Sequence, residues 1–146
     1  MLPRGITGFY DGTQLPPPTL DEKGFHRFCY ALSQAHYGSV LSLDCDITGK
    51  NFYAAHLELF HTPCVLLANA HHPYVAFAAS MDPWPPVFQN PPFDPTPFWP
   101  EMHLMTAAQL EQDWRHQVRD LGAAEMEQIR YWNPRTVGEI LFNFWD

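Results

Sequence analysis

Ser39-Val-Leu-Ser-Leu-Asp-Cys45, Phe52-Tyr-Ala-Ala-His-Leu-Glu-Leu-Phe60, Cys64-Val-Leu-Leu-Ala-Asn69 and Tyr74-Val-Ala-Phe-Ala-Ala79 are four short apolar segments in close succession. Turn-forming residues separate them at Asp46 to Asn51, at Thr62-Pro63 and at His71-His72-Pro73. Segments of this length with gaps this short predict hairpins, and hence an antiparallel meander. Side chains alternate across a strand, so Tyr53, Ala55, Leu57 and Leu59 share one face while His56 and Glu58 take the other. Leu41, Leu43 and Cys45 alternate with Ser42 and Asp44 in the same way. The pattern predicts a sheet with one face under helices and the other at least partly open.

Helical signals lie on both sides of this block. Thr19 and Glu22 have capping-box spacing, which places a helix start near Leu20; Leu20, Phe28, Cys29, Leu32 and Ala35 then recur with helical period, and Gly38 is a credible stop. Thr106 and Gln109 repeat the signal, with Leu110, Trp114, Val118 and Leu121 following until Gly122. A short helix is expected from about Ala123 to Tyr131. Asn133 as N-cap with Pro134 at the first helical position would open a last helix carrying Val137, Ile140, Leu141, Phe144 and Trp145 as its apolar stripe. On that helix Arg135 and Glu139 are four apart and can pair, while Asp146 falls at the unfavourable end of the dipole. The expectation is an α+β fold, a single domain over residues 1–146, with an antiparallel sheet of about four strands and helices packed on one face.

Composition narrows the class. The chain has 146 residues, 46% hydrophobic and 16% charged, enough for one substantial core. Eight Lys and Arg against sixteen Asp and Glu give a formal charge of −8, which argues against direct nucleic-acid binding through a basic face and favours a basic partner. No apolar run approaches the roughly 18 residues of a membrane helix, and the first thirteen residues lack signal-peptide character, so the expected location is the cytoplasm. Cys29, Cys45 and Cys64, odd in number and set in apolar surroundings, read as free thiols rather than a disulfide framework. Ser80 to Pro100 holds eight prolines, too many for a helix or a central strand, yet it carries Trp84, Phe88, Phe93, Phe98 and Trp99. It reads as an ordered loop packed across the domain or offered to a partner.

Chemical motifs are sparse. His56 with His61, His71 with His72, and His103 lack metal-site spacing, and no cofactor fingerprint is present, so neither metal nor cofactor is expected. Cys64 lies three residues after His61, which leaves a small Cys/His hydrolase as one alternative. A ligand-binding or assembly domain using the aromatic loop is another. The acidic residues read better as a surface than as a catalytic pair: Asp44, Asp46, Glu58, Asp82 and Asp94 would supply charge complementarity, and Trp84, Phe88, Phe93 and Trp99 apolar anchors.

The ending Trp132-Asn133-Pro134, Val137-Gly138-Glu139-Ile140-Leu141-Phe142-Asn143 and Trp145-Asp146, about a tenth of the chain, resembles the C-terminal segment of small bacterial immunity proteins. The resemblance is to those paired with contact-dependent growth-inhibition or other polymorphic toxins; the opening Leu2-Pro-Arg-Gly-Ile-Thr-Gly-Phe9 adds to it. It implies a non-catalytic cytoplasmic antitoxin that binds a toxin's C-terminal effector domain, commonly a nuclease, and blocks its active site or holds it inactive; with the acidic charge, the expectation is a basic nuclease occluded at its active site. That family supplies no catalytic residues to carry over.

Overall fold

The computed structural model describes residues 2–91, 93–118 and 120–145. The meander forms as the turn spacing requires. Strands β1 (Ser39–Asp44), β2 (Phe52–Leu59), β3 (Thr62–Asn69) and β4 (Tyr74–Ala78) pair antiparallel in sequence order. Two short strands then share the outer edge of β4: β5 (Phe88–Gln89) antiparallel, and β6 (His103–Leu104) parallel. The sheet therefore has six strands rather than about four, the additions being two-residue edge pieces that proline-rich sequence permits only at an edge. Between Val40 and Ser42 the register slips, a bulge that turns Leu41 out to solvent instead of continuing the expected alternation.

Helices flank both faces, which corrects the one-sided arrangement. Helix α1 (Glu22–Ala35) lays Phe25, Phe28, Cys29 and Leu32 on Tyr53, Ala55, Leu57, Leu66 and Phe77. The opposite face presents Phe52, Ala54, Val65, Leu67 and Ala76 to Leu110, Ile129, Val137, Ile140 and Phe142 from the C-terminal third. This second layer leaves His56 exposed and Glu58 half-buried, so only that end of the face is open. Each large side chain buried in either layer is worth about 1.5–3 kcal/mol. The segment 80–100 wraps the β4 edge, placing Trp84 and Phe88 in one layer and Phe93, Phe98 and Trp99 in the other.

The helix ends differ from the expected caps. Asp21, not Thr19, caps α1 by accepting from the N–H groups of Lys23 and Gly24. Thr106 and Gln109 do form a capping box, but α2 (Ala107–Leu110) stops after one turn because Asp113 starts a separate 3₁₀ turn at Trp114–Gln117. Helix α3 (Ala123–Trp132) ends on Asn133 in the left-handed conformation, which Asn tolerates. Asn133 is thus a C-terminal residue, and Thr136 with Glu139 makes the box for α4 (Val137–Leu141). Glu139 accepts from the backbone N–H of Arg135 and of Thr136, while the Arg135 guanidinium pairs with Glu111 instead. Helix α4 ends at Leu141, so Phe144 and Trp145 lie beyond it; Asp146 lies outside the described residues.

The N-terminal segment is tied to α3 by a carboxylate. Glu125 is buried and accepts from Gly5 N–H at 2.8 Å, Thr7 N–H at 3.1 Å, Thr7 Oγ1–H at 2.7 Å and Gly122 N–H at 3.1 Å. These donors satisfy a charge that has no cation beside it among the described residues.

Candidate partner-binding surface

One corner of the molecule combines exposed aromatic rings with unfavourable backbone. Helix α1 leaves its last turn through Tyr37 at φ 52°, and the N–H groups of His36 and Gly38 both return to the Ser33 carbonyl. The left-handed position falls on Tyr37 rather than on the neighbouring glycine. Gly38 is reserved for a different need: a Cβ there would stand 1.8 Å from the Glu58 carbonyl oxygen, because the chain leaving α1 crosses closely against the β2 backbone where Ser39 begins to pair with Glu58. The β2–β3 turn lies against this crossing, with Phe60 at φ 52° and His61 at φ 62°, and the Phe60 N–H donates to the His36 carbonyl at 3.2 Å. A two-residue turn of this hand ordinarily takes Asn-Gly.

Each left-handed L-residue costs about 1–2 kcal/mol. Among the described residues the only other non-glycine with positive φ is Asn133, so all the bulky ones gather at this corner. Strain held in this way clusters where a protein needs a particular side chain in a particular place. Here it holds two rings toward solvent: Tyr37 is 81% exposed and Phe60 49%.

Beneath them the rings are fixed. His36 stacks on Phe93 with centroids 3.8 Å apart and meets the edges of Phe60 and Phe98; Phe93 meets Phe77 edge-on at 6.0 Å. His36 Nδ1 lies 2.8 Å from the Leu32 carbonyl, which can only accept, so that nitrogen carries the proton. Beside the stack is an apolar hollow of about 240 Å³ between Leu59, Phe60, Pro63, Cys64, Phe77 and Phe93.

The residues expected at an interface are distributed, not assembled. Phe93 is in the corner, half-buried, followed by exposed Asp94, whose carboxyl is held below the usual range by hydrogen bonds from Thr96. Glu58 is half-buried on the opposite face of β2 from α1. Asp44 and Asp46 are exposed at the far end of β1; a hydrogen bond from Lys50 at 2.6 Å lowers the Asp44 pKa, and the Thr48 N–H lowers that of Asp46. Asp82 is exposed. Trp84 is half-buried and stacks on Phe52 at 5.0 Å. Phe88 is only 6% exposed and packs over Gly138, so it has no surface to offer a partner. Trp99 is half-buried, meeting Phe28 edge-on and packing over Gly24. Tyr37, Phe60 and His36 were absent from the sequence expectation; the available signal was a tight turn, Phe60-His61, lacking both Gly and Asn.

The thiols are poorly disposed for nucleophilic work. Burial pushes Cys64 up to about 11, and no hydrogen bond joins it to His61 among the described residues. Cys45 lies 3.6 Å from His26 Nε2, but burial and the Glu22 and Asp44 carboxylates push it up to about 11. Cys29 is raised further by burial. A nucleophilic cysteine needs its thiolate, and these surroundings favour the thiol. Among the described residues no three His, Cys, Asp or Glu side chains converge as metal ligands, and no helix is long and apolar enough to cross a membrane.

Comparison of the chain with protein-family models, with curated proteins and with solved structures finds no match.

Proposed function

We propose that the protein is a bacterial immunity protein, acting in the cytoplasm, that neutralises the effector domain of a toxin by stoichiometric occlusion. The partner is a basic domain of the nuclease type. Tyr37, Phe60 and Phe93 anchor it, while the net charge of −8, with Asp94 next to Phe93 in the chain, steers the encounter. The observation that carries this reading is the concentration of bulky left-handed residues at one corner, two of them bearing exposed rings, at positions where Asn or Gly would avoid the stability cost. The C-terminal resemblance to immunity proteins supplies the class of partner.

The test is coexpression with the toxin domain encoded by the adjoining gene. The wild-type chain is expected to protect cells and to copurify with the toxin in a one-to-one complex. Tyr37→Ser and Phe60→Ser, both at exposed positions, are expected to fold and to lose protection. A wild-type chain that neither protects nor copurifies overturns the proposal, and variants that protect as well as the wild type remove the corner from it.

A further inference from the structure

On the other side of the sheet from the strained corner, Trp84, Trp132, Phe144 and Trp145 surround a surface pocket of about 220 Å³, with Glu139 among its walls. The elements that bring them together are distant in sequence: the proline-rich loop, the end of α3, the first turn of α4 and the residues after it. The rings are held in place. Trp84 stacks flat on Phe52 at 5.0 Å and meets Phe144 edge-on at 5.0 Å; Trp132 and Trp145 lie parallel within 3°, centroids 6.5 Å apart. The Trp132 Nε1–H donates to Gln128 Oε1 at 3.2 Å, which fixes that indole although the residue is 40% exposed.

Aromatic faces carry negative potential and attract a cation placed over them. Glu139 adds a formal charge. Its Oε2 accepts from the N–H groups of Arg135 and Thr136, and its Oε1 has no hydrogen-bond partner among the described residues. Of the chain's own cations, Arg135 reaches Glu111 at 3.2 Å, and Lys50, which does not line the pocket, pairs with Asp44 at 2.6 Å with its Nζ 5.2 Å from the Phe52 centroid and 6.0 Å from that of Phe144, so an ammonium already sits over the neighbouring rings. A pocket of this size is below the roughly 300–1,000 Å³ of sites for whole small-molecule ligands but suits one side chain. Guanidinium fits it better than ammonium, because a planar cation stacks on indole and turns its N–H fork to a carboxylate.

We infer that this pocket receives an arginine side chain projecting from a basic protein partner. The inference rests on the proposed immunity function for the identity of that partner; the pocket's preference for guanidinium stands apart from it.

The test uses the full chain with ¹⁵N-labelled tryptophan indoles, titrated with Nα-acetylarginine methylamide and, separately, with the neutral citrulline analogue. The arginine probe is expected to shift the Trp132 and Trp145 indole resonances saturably in the millimolar range, and the citrulline probe to leave them in place. Glu139→Gln keeps a hydrogen-bonding acceptor at the α4 cap and is expected to weaken the response roughly tenfold. Trp132→Leu, at an exposed position, is expected to abolish the Trp145 shift. No saturable response, or equal responses to both probes, overturns the inference. A response unchanged in both variants overturns it also, because the cation then binds elsewhere. A chain that answers the arginine probe but does not protect against the toxin keeps the pocket and loses the immunity function; one that protects without an indole response does the reverse.

Discussion

Asn143 donates its backbone N–H to Asn51 Oδ1 at 2.7 Å, and Asn51 returns its own N–H to the Asn143 carbonyl at 3.2 Å. The pair joins the residues after α4 to the start of β2, and it is not isolated. Asn51 Nδ2 donates to the carbonyls of Ile6 and Ile140, at 2.9 and 3.0 Å. Asn69 does the same for Ile6 and Leu141, at 3.0 and 2.8 Å, while its Oδ1 accepts from the N–H groups of His71 and His72. Both asparagines are fully buried. Three stretches that form no strand with one another, the N-terminal segment, the sheet and the C-terminal helix, are therefore held by side-chain amides that satisfy otherwise orphaned backbone groups.

Asn51→Ala should accordingly cost more than a surface amide. It leaves the Ile6 and Ile140 carbonyls with one donor fewer and the Asn143 N–H without its acceptor, in a buried setting where an unmet group costs about 1–3 kcal/mol. The expected loss is about 3 kcal/mol, read as a lower urea midpoint with unchanged slope. A loss below about 1 kcal/mol would show that water replaces the amide and that the network is dispensable.

The strained turn makes the opposite prediction. Replacing Phe60 by Asn and His61 by Gly puts residues suited to positive φ at 52° and 62°, and should stabilise the fold by about 1–2 kcal/mol. If Phe60 anchors a partner, the same double variant loses protection against the toxin although it is more stable. Gain in stability with protection intact would mean that the strain serves no interface.

Phe88→Ala and Phe60→Ala separate packing from recognition within one residue type. Phe88 is buried against Phe142 and the Gly138 backbone, so its removal should cost about 3–5 kcal/mol and lower protection only by depleting folded protein. Phe60 is half-exposed, so its removal should cost about 1 kcal/mol or less, and if the proposed interface holds it should abolish protection directly. Measuring urea stability beside soluble yield and protection distinguishes the two; a Phe60 variant that protects fully removes that ring from the interface.

How far these features were legible in sequence follows from how local their causes are. The four main strands came out within a residue or two because alternation and turn chemistry are local. The second helical layer did not, though Phe52-Tyr53 and Val65-Leu66-Leu67 carry its signal: adjacent large apolar residues, without polar alternation, mark a strand buried on both faces. Thr19 and Glu22 had the right spacing for a cap, but Asp21 lies between them and reaches the free N–H groups itself. The corner was hidden for a deeper reason. Tyr37 and Phe60 are far apart in the chain and meet only where β1 begins to pair with β2 and the Phe60 N–H reaches the His36 carbonyl, a tertiary arrangement that no window of sequence displays. The pocket around Trp132 likewise depends on Trp84, nearly fifty residues earlier in the chain.

Thiol chemistry offers a direct check on the environment of Cys64 and Cys45. With both pushed up to about 11, the thiolate fraction at neutral pH is small, and alkylation by iodoacetamide should be far slower than for a free thiol of ordinary pKa. The rate should rise with pH toward about 11. Fast labelling of Cys64 at neutral pH would contradict the burial that raises it and would reopen a nucleophilic role for that residue.

His71 gives the fold a pH dependence of definite sign. Burial lowers its pKa below the ordinary 6.5, opposed by its hydrogen bond to the Pro18 carbonyl and by Glu125, and assisted by the neighbouring His72. The folded chain therefore resists a proton that the unfolded chain accepts. Below 6.5 the unfolded state binds more protons, so stability contributed by the neutral imidazole is present above that pH and is lost as pH falls toward the folded pKa. Exposed Asp46 and Asp94 are depressed from 3.8, so they act only in a lower window. Urea midpoints should hold steady down to about pH 6.5 and then decline as pH falls toward the lowered pKa of the folded chain. His71→Gln should flatten that limb relative to wild type while leaving the steeper loss below pH 4 in place; comparing slopes rather than midpoints removes any constant cost of losing the Pro18 contact. An unchanged slope in the variant would mean that His71 takes up its proton without disturbing the segment it holds.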